Sequence, residues 1–425
     1  MVEQTTPLRV SQLAENIIGS EIIRLAAEVN EKIKKGEKIY NLTIGDFNPK
    51  LFPIPAELKS AIITAYENDE TNYPSAEGMI DLRNSVSAYL KKYGNLNYGT
   101  DEIVISGGAR PLIYSAYRTL IDPDDVVVFP TPSWNNNHYC HLTSAKAIIV
   151  ETTAENNFMP TAAELKPFLK DATMLALCSP LNPTGTTFSK NQLREICELV
   201  LDENRKRDYT QKPLYLLYDQ IYWALTFGDT KHYDPVSLLP EMKKYTIYID
   251  GISKSLAATG VRVGWAFGPK KVIDKMKSII GHVGAWAPKA EQMACADYLS
   301  NYASIDSFMV NMKEKINSRL QAFYTGFTQL QKEGFKVACI APQAAIYLTA
   351  QFRLIGMKKE NGEQLSSTKE ITAYLLNEAK IAIVPFYAFG DKETSDWYRI
   401  SVGTCKTEDI PLIIDNIRHA LKKLS

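Results

Sequence analysis

A chain of 425 residues is longer than one hydrophobic core usually organises, so it predicts a large domain of roughly 250 residues plus a smaller one. Its 48 basic residues balance 48 acidic ones, which argues against nucleic acid as a partner, and no run of eighteen apolar residues marks a membrane span. The start, Met1-Val2-Glu3-Gln4-Thr5, has no secretory pattern, and the six cysteines and five histidines show no Cys-x-x-Cys or ligand spacing; a cytoplasmic protein with free thiols and no metal is expected.

Residues 1–40 hold a polar start and then an amphipathic stretch, 17–33, whose period predicts a helix packed on the smaller domain or on a partner. Between about 100 and 268 the pattern changes to short β-rich runs, each followed by a turn and often by a helical period, as in an α/β domain with a largely parallel sheet. Ile103-Val104-Ile105 precedes Ser106-Gly107-Gly108-Ala109-Arg110. Val126-Val127-Val128-Phe129 precedes Pro130-Thr131-Pro132-Ser133-Trp134, and Leu175-Ala176-Leu177-Cys178 precedes Ser179-Pro180-Leu181-Asn182-Pro183-Thr184-Gly185. Leu214-Tyr215-Leu216-Leu217-Tyr218 ends in Asp219, and Thr246-Ile247-Tyr248-Ile249 runs into Asp250-Gly251-Ile252-Ser253-Lys254. Every polar cluster thus follows a strand. Because the carboxyl ends of strands line the ligand crevice of an open α/β sheet, all five clusters are expected to converge on one site. The charged segment 201–212 reads as a solvated loop. Beyond about residue 300, Ile316, Leu320, Phe323, Phe327 and Leu330 share one stripe of a long helix. Strands near 346–350, 381–384 and 398–402 and a helix over about 410–424 then complete a smaller α+β domain.

Lys254 gives these clusters a chemistry. A strand-end lysine, partly desolvated and set near a cation such as Arg262, has its pKa lowered from about 10.4 and becomes nucleophilic toward an aldehyde. Ser253-Lys254 with Thr259-Gly260-Val261-Arg262-Val263-Gly264 resembles the signature of the class I and II aminotransferases, aspartate-aminotransferase-like enzymes of fold type I that depend on pyridoxal phosphate. The resemblance runs from about residue 40 to 402, with its motifs in family order. It implies an α/β fold with a mostly parallel seven-stranded sheet in a large cofactor-binding domain, 49–298. It also implies a small α+β domain, 299–425, joined by an N-terminal segment, 1–48, and a ping-pong exchange between an L-amino acid and a 2-oxo acid.

By the same resemblance Lys254 forms the internal Schiff base and then shuttles the proton between the substrate α-carbon and the cofactor. Asp219 pairs with the pyridinium nitrogen, while Tyr222 and Asn182 hydrogen-bond the phenolic oxygen. Gly108, Ala109 and Arg110 open a helix whose N–H groups receive the phosphate, with Ser253 and Arg262 adding a hydroxyl and a bidentate cation. Trp134 stacks on the cofactor ring. Tyr73, in Tyr73-Pro74-Ser75-Ala76-Glu77-Gly78, reaches the phosphate of the neighbouring subunit in a homodimer with shared active sites. Arg399, in Tyr398-Arg399-Ile400-Ser401-Val402, holds the substrate α-carboxylate, assisted by Gly45 and Asn182.

The chain departs from the family pattern at Gly45-Asp46-Phe47-Asn48-Pro49 and at Ile18-Gly19-Ser20, both on the side of the substrate side chain, and at Ala344-Ala345-Ile346-Tyr347. Aspartate is the first expected donor, with 2-oxoglutarate as acceptor. A pocket made by tryptophan with Asn135, Asn136, Asn137 and His138 would suit an aromatic or other neutral amino acid instead, and no arginine for a distal carboxylate is identified from the chain. Trp286 is expected from the opposite subunit, and Lys289 either pairs with a distal carboxylate or is solvated. A β-eliminating lyase shares nearly all these cofactor contacts, and a non-catalytic cofactor-binding sensor is the alternative from a different class.

Overall fold

The computed structural model describes residues 9–425 apart from Ile18 and Ser20. Its strands are β1 (Tyr40–Asn41), β2 (Ile103–Ser106), β3 (Val126–Thr131), β4 (Lys146–Glu151), β5 (Ala172–Cys178), β6 (Tyr215–Asp219), β7 (Thr246–Gly251), β8 (Gly264–Phe267), β9 (Val337–Cys339), β10 (Tyr347–Phe352), β11 (Ile381–Ala382), β12 (Val384–Pro385) and β13 (Trp397–Ser401). Strands β2 to β8 form one seven-stranded sheet in the order β2-β8-β7-β6-β5-β3-β4. Within it only β8 runs against its neighbours.

Strand alternation explains why the sequence runs here are continuously apolar. Val104, Val127, Phe129, Met174, Ala176, Leu217, Ile247 and Ile249 enter one core with helices Ala109–Leu120 and Lys270–Val283. Ile105, Val128, Leu175, Leu177, Leu216, Tyr218 and Tyr248 enter another with helices Ile80–Gly94, Lys190–Lys206 and Lys289–Leu299. A sheet covered on both faces has no polar side for a strand to show. The five runs read from the sequence are β2, β3, β5, β6 and β7. β4 closes the sheet at its edge with Lys146, Ala147 and Ile149 exposed, so it lacks that apolar signature. β8 is four residues long and lies directly after the lysine and arginine motif.

A second, antiparallel sheet, β12-β13-β10-β9, packs on helix Tyr302–Lys332, and β1 pairs in parallel with β11. Ile316, Leu320, Phe323, Phe327 and Leu330 are all fully buried there with Leu348, Ala350, Phe352, Ile413 and Ile417. The single strand expected over 381–384 is two: β11 pairs with β1, and after Ile383 the chain passes to β12 beside β13.

The amphipathic helix expected over 17–33 is Glu21–Lys34, preceded by a separate turn, Gln12–Glu15. Leu25 packs with Phe158, Val384, Phe386 and Phe389, and Val29 with Leu376 and Ala382, while Ile17 and Ile33 stay exposed. Segment 201–212 is a solvated loop only in its second half: helix Lys190–Lys206 runs into it with Leu201 buried, and residues 208–212 are exposed. Arg207 donates to the carbonyls of Leu169, Lys170, Ala172 and Lys212 at 2.7–3.1 Å, and Lys212 Nζ lies 2.5 Å from both Asp122 and Asp125. Arg207 ties the end of the helix to the start of β5, and Lys212 ties the segment to the turn before β3. Among the described residues no helix is long and apolar enough to cross a membrane, and no cluster of three or more His, Cys, Asp or Glu is arranged to hold a metal.

Candidate active site

The ends of β2, β3, β5, β6 and β7 open on one cavity of about 540 Å³. They bring Ala109 and Arg110, Trp134, Asn182, Asp219 and Tyr222, and Ser253 and Lys254 to its wall. Thr43 to Asp46, Tyr347 at the start of β10 and Arg399 in β13 form the opposite side, with Ile22 and Ala26 from helix Glu21–Lys34.

Lys254 stands on the short helical turn Ile252–Ser255 that follows β7. Its Nζ donates to Gly45 O at 2.7 Å and lies 5.8 Å from the Tyr222 ring and 5.9 Å from the Phe47 ring. Burial pushes the amine down to about 8; Asp46 opposes this, and the charges of Arg399, Arg110 and Arg262 reinforce it. Asp219 ends β6 and accepts the Ile221 N–H at 3.1 Å, and burial raises its carboxyl to about 6. Among the described residues no cation lies within ion-pair distance of it.

The hydroxyls of Tyr222 and Tyr347 are 2.6 Å apart. Arg399, 1% exposed, lies between the rings of Tyr347 at 4.7 Å and Phe389 at 4.9 Å. It donates through Nη1 to Asn182 Oδ1 at 3.0 Å and through Nη2 to Thr43 O at 2.5 Å, while its buried Nε has no partner among the described residues. Gly45 permits this closeness: a Cβ there would stand 2.7 Å from the Tyr347 hydroxyl.

At the other end of the cavity helix Ala109–Leu120 begins at Gly108, which has φ +94°. A Cβ on Gly108 would lie 2.2 Å from Arg262 Nη2, so only glycine admits the guanidinium against the helix start. Arg262 is held by the carbonyls of Thr259 and Gly107 at 2.8 and 2.7 Å. Thr259 in turn donates to Asp46 at 2.7 Å. Arg110, with its guanidinium 5.4 Å from the Trp134 ring centroid, makes no hydrogen bond or ion pair among the described residues.

Some expected residues are elsewhere in this single chain. Tyr73 is 82% exposed and packs edge-on against Trp286 at 5.3 Å, in a separate cavity of about 550 Å³. Lys289 belongs to that cavity too and is neither solvated nor free, since its Nζ is 2.6 Å from both Glu70 and Asn72. Asn135, Asn136, Asn137 and His138 are absent from the lining of the lysine cavity; Asn136 instead accepts from the Tyr117 hydroxyl at 3.0 Å. The departure Ile18-Gly19-Ser20 falls largely outside the described residues. Tyr347 and Asp46, by contrast, carry contacts that the sequence reading assigned to neither. Their one sequence signal was that both lie in segments departing from the family pattern.

Residues 37–417 match the family model for aminotransferase class I and II. The chain is 26% identical over 415 residues to the aspartate aminotransferase of Rhizobium meliloti (strain 1021), covering 96% of this chain and 94% of that one. It is 28% identical over 403 residues to a probable aspartate/prephenate aminotransferase of Rickettsia conorii, covering 94% and 95%. The crystal structure of the Rhizobium meliloti aspartate aminotransferase matches with a TM-score of 0.90 at 25% identity, over 99% of this chain and all of that one. A family match over nearly the whole length, on a fold whose strand ends gather a buried lysine, an unpaired aspartate and three arginines, makes this chain a member of aminotransferase class I and II: a pyridoxal-phosphate-dependent aminotransferase acting on amino acids and 2-oxo acids.

Proposed function

We propose that the enzyme moves the amino group of L-aspartate to a 2-oxo acid such as 2-oxoglutarate, through the residues gathered around Lys254. The observation that carries the dicarboxylate reading is Arg110. Of the three cleft arginines, Arg262 and Arg399 sit where the phosphate and the α-carboxylate are assigned, and Arg110 makes no hydrogen bond or ion pair among the described residues. A second carboxylate on the substrate would meet it. The names of the relatives point the same way, and the four residues that would have made a neutral pocket do not line the cavity.

The cleft fits pyridoxal phosphate on its own chemistry. The start of helix Ala109–Leu120, the Ser253 hydroxyl and Arg262 together suit a phosphate. Asp219 lacks a cationic partner, which a protonated pyridine nitrogen would supply. When bound, the cofactor supplies an aldehyde to take up the amino group and a ring to accept the electron pair released at the α-carbon. Asp219 would hold the proton on the ring nitrogen, Trp134 would cover the ring face, and Tyr222 and Asn182 would hydrogen-bond the phenolic oxygen. Arg399 would orient the substrate through its α-carboxylate, with Gly45 and Asn182 beside it. Lys254 Nζ, buried and with its amine largely neutral above about pH 8, is the group suited to move a proton at the substrate α-carbon.

Two further parts belong to the same reading. The enzyme is a homodimer in which Tyr73 serves the neighbouring site, supported by the exposure of Tyr73 beside Trp286. It works in the cytoplasm, a reducing compartment that suits its six unpaired cysteines.

The test is to follow the cofactor absorption of the purified protein as L-aspartate and then other amino acids are added, and to quantify the oxo acid formed. Stoichiometric oxaloacetate with conversion of the cofactor to its amine form supports the reading. Conversion by neutral amino acids alone refutes the role of Arg110, pyruvate and ammonia from a β-substituted substrate without an acceptor indicate a lyase, and bound cofactor that no amino acid converts indicates a sensor.

A further inference from the structure

The turns after β6 and β7 carry the three residues assigned above to the chemistry, and something must hold the turns against each other. The strands pair in parallel with Asp219 opposite Ile249, and the Gln220 N–H donates to Ile249 O at 3.0 Å, so Asp250 stands beside the start of the first turn. Asp219 and Tyr222 line the cleft, whereas Gln220 and Trp223 line a different cavity, of about 580 Å³. Asp250 is 1% exposed and lines neither. One of its oxygens accepts the Gly251 N–H at 2.7 Å, at the base of the turn that bears Lys254. The other accepts Trp223 Nε1 at 2.9 Å, with Gln220 Nε2 at 3.5 Å.

We propose that Asp250 is a positioning residue for the aminotransferase reaction, whose buried carboxyl fastens the Asp219–Tyr222 turn to the Lys254 turn by bridging Trp223 and Gln220 to Gly251. It touches neither substrate nor cofactor and acts through the residues it spaces. The inference rests on the roles assigned above to Asp219, Tyr222 and Lys254.

The surroundings make the bridge sensitive to what replaces it. The titratable groups facing Asp250 are Asp219 of β6 and Tyr89 of helix Ile80–Gly94, β8 presents Trp265 opposite it, and among the described residues no cation lies within ion-pair distance of it. Burial, assisted by the negative charge of Asp219, raises its carboxyl to about 8. A group this costly to bury, receiving donors from two turns, is poorly replaced by a smaller side chain, which would leave Trp223 Nε1 without its protein acceptor.

The experiment compares holoenzymes of the unaltered protein, Asp250→Ala, Asp250→Asn and Trp223→Phe, reading kcat, KM for L-aspartate and the pH midpoint of the cofactor's visible absorption. Loosened spacing predicts that Asp250→Ala lowers kcat roughly ten- to a hundredfold with KM within about twofold. It also moves the spectral midpoint upward, because Tyr222 no longer holds its place. Asp250→Asn, which keeps one acceptor oxygen but sets an NH2 against the donors on its other side, recovers kcat only in part, and Trp223→Phe shows the same changes in smaller measure. Unchanged kcat and midpoint in Asp250→Ala, even with a lowered melting temperature, overturn the proposal; should that variant not fold, the same result in Trp223→Phe does so. Unaltered holoenzyme without a visible cofactor band that shifts with pH would overturn the underlying roles instead, and that control needs no variant.

Discussion

Lys254 owes its state mainly to burial, with Asp46 pulling one way and Arg399, Arg110 and Arg262 the other. An amine brought down to about 8 gives a definite rate profile for capture of pyridoxal phosphate by the cofactor-free protein. Only the neutral amine attacks the aldehyde, so the rate rises roughly tenfold per pH unit below the pKa and levels off above it. Stopped-flow absorbance reads this directly, and a rise continuing to the range of an ordinary lysine would refute the lowered value. Lys254→Ala removes the covalent absorption and nearly all turnover but leaves phosphate-dependent binding, as equilibrium dialysis should show. Arg110→Gln is expected to lower kcat/KM for aspartate roughly ten- to a hundredfold, the scale of one charge-assisted hydrogen bond, and to leave a neutral amino acid almost untouched. Equal losses on both substrates would return Arg110 to the cofactor.

Where a residue's environment is set by its own element, the sequence carried it; where it is set by an element far along the chain, it did not. The central strands were legible because both faces are covered, and the stripe from Ile316 to Leu330 because one helix face meets a sheet. β4 escaped because an exposed edge strand needs no apolar run. In the cleft, Lys254, Asp219, Asn182 and Trp134 stood at strand ends, and their roles came from a family resemblance attached to those motifs. The Tyr222–Tyr347 contact joins residues 125 positions apart and leaves no local trace. Element geometry also makes two predictions. Phe323→Ala, at a fully buried point of the helical stripe, should cost about 3–5 kcal/mol in denaturant unfolding. Gly108→Ala meets both a φ of +94° and Arg262 Nη2 at 2.2 Å, so it should weaken cofactor binding about tenfold or more, measured by dialysis, with a smaller loss of thermal stability.

At the scale of the whole molecule the proposed homodimer, with Tyr73 serving the neighbouring site, calls for an exposed face on each chain. Ile63, Tyr66, Tyr73, Ile80 and Val283 are each about half exposed or more, and Tyr73 leans on Trp286 rather than on any group of its own cleft. A tyrosine 82% exposed gains nothing from burial in the monomer, and its hydroxyl is free to donate to a phosphate presented by a second copy. The dimer reading therefore makes cofactor affinity depend on protein concentration: as the protein is diluted below the dimer dissociation constant, phosphate binding should weaken together with the sedimentation coefficient. Tyr73→Phe should reproduce the loss of affinity in a protein that still sediments as a dimer, because it removes only the hydroxyl. A monomer verified by sedimentation that keeps full cofactor affinity would show that the phosphate cradle of Gly108, Ser253 and Arg262 is sufficient within one chain, and that the exposure of Tyr73 serves some other contact.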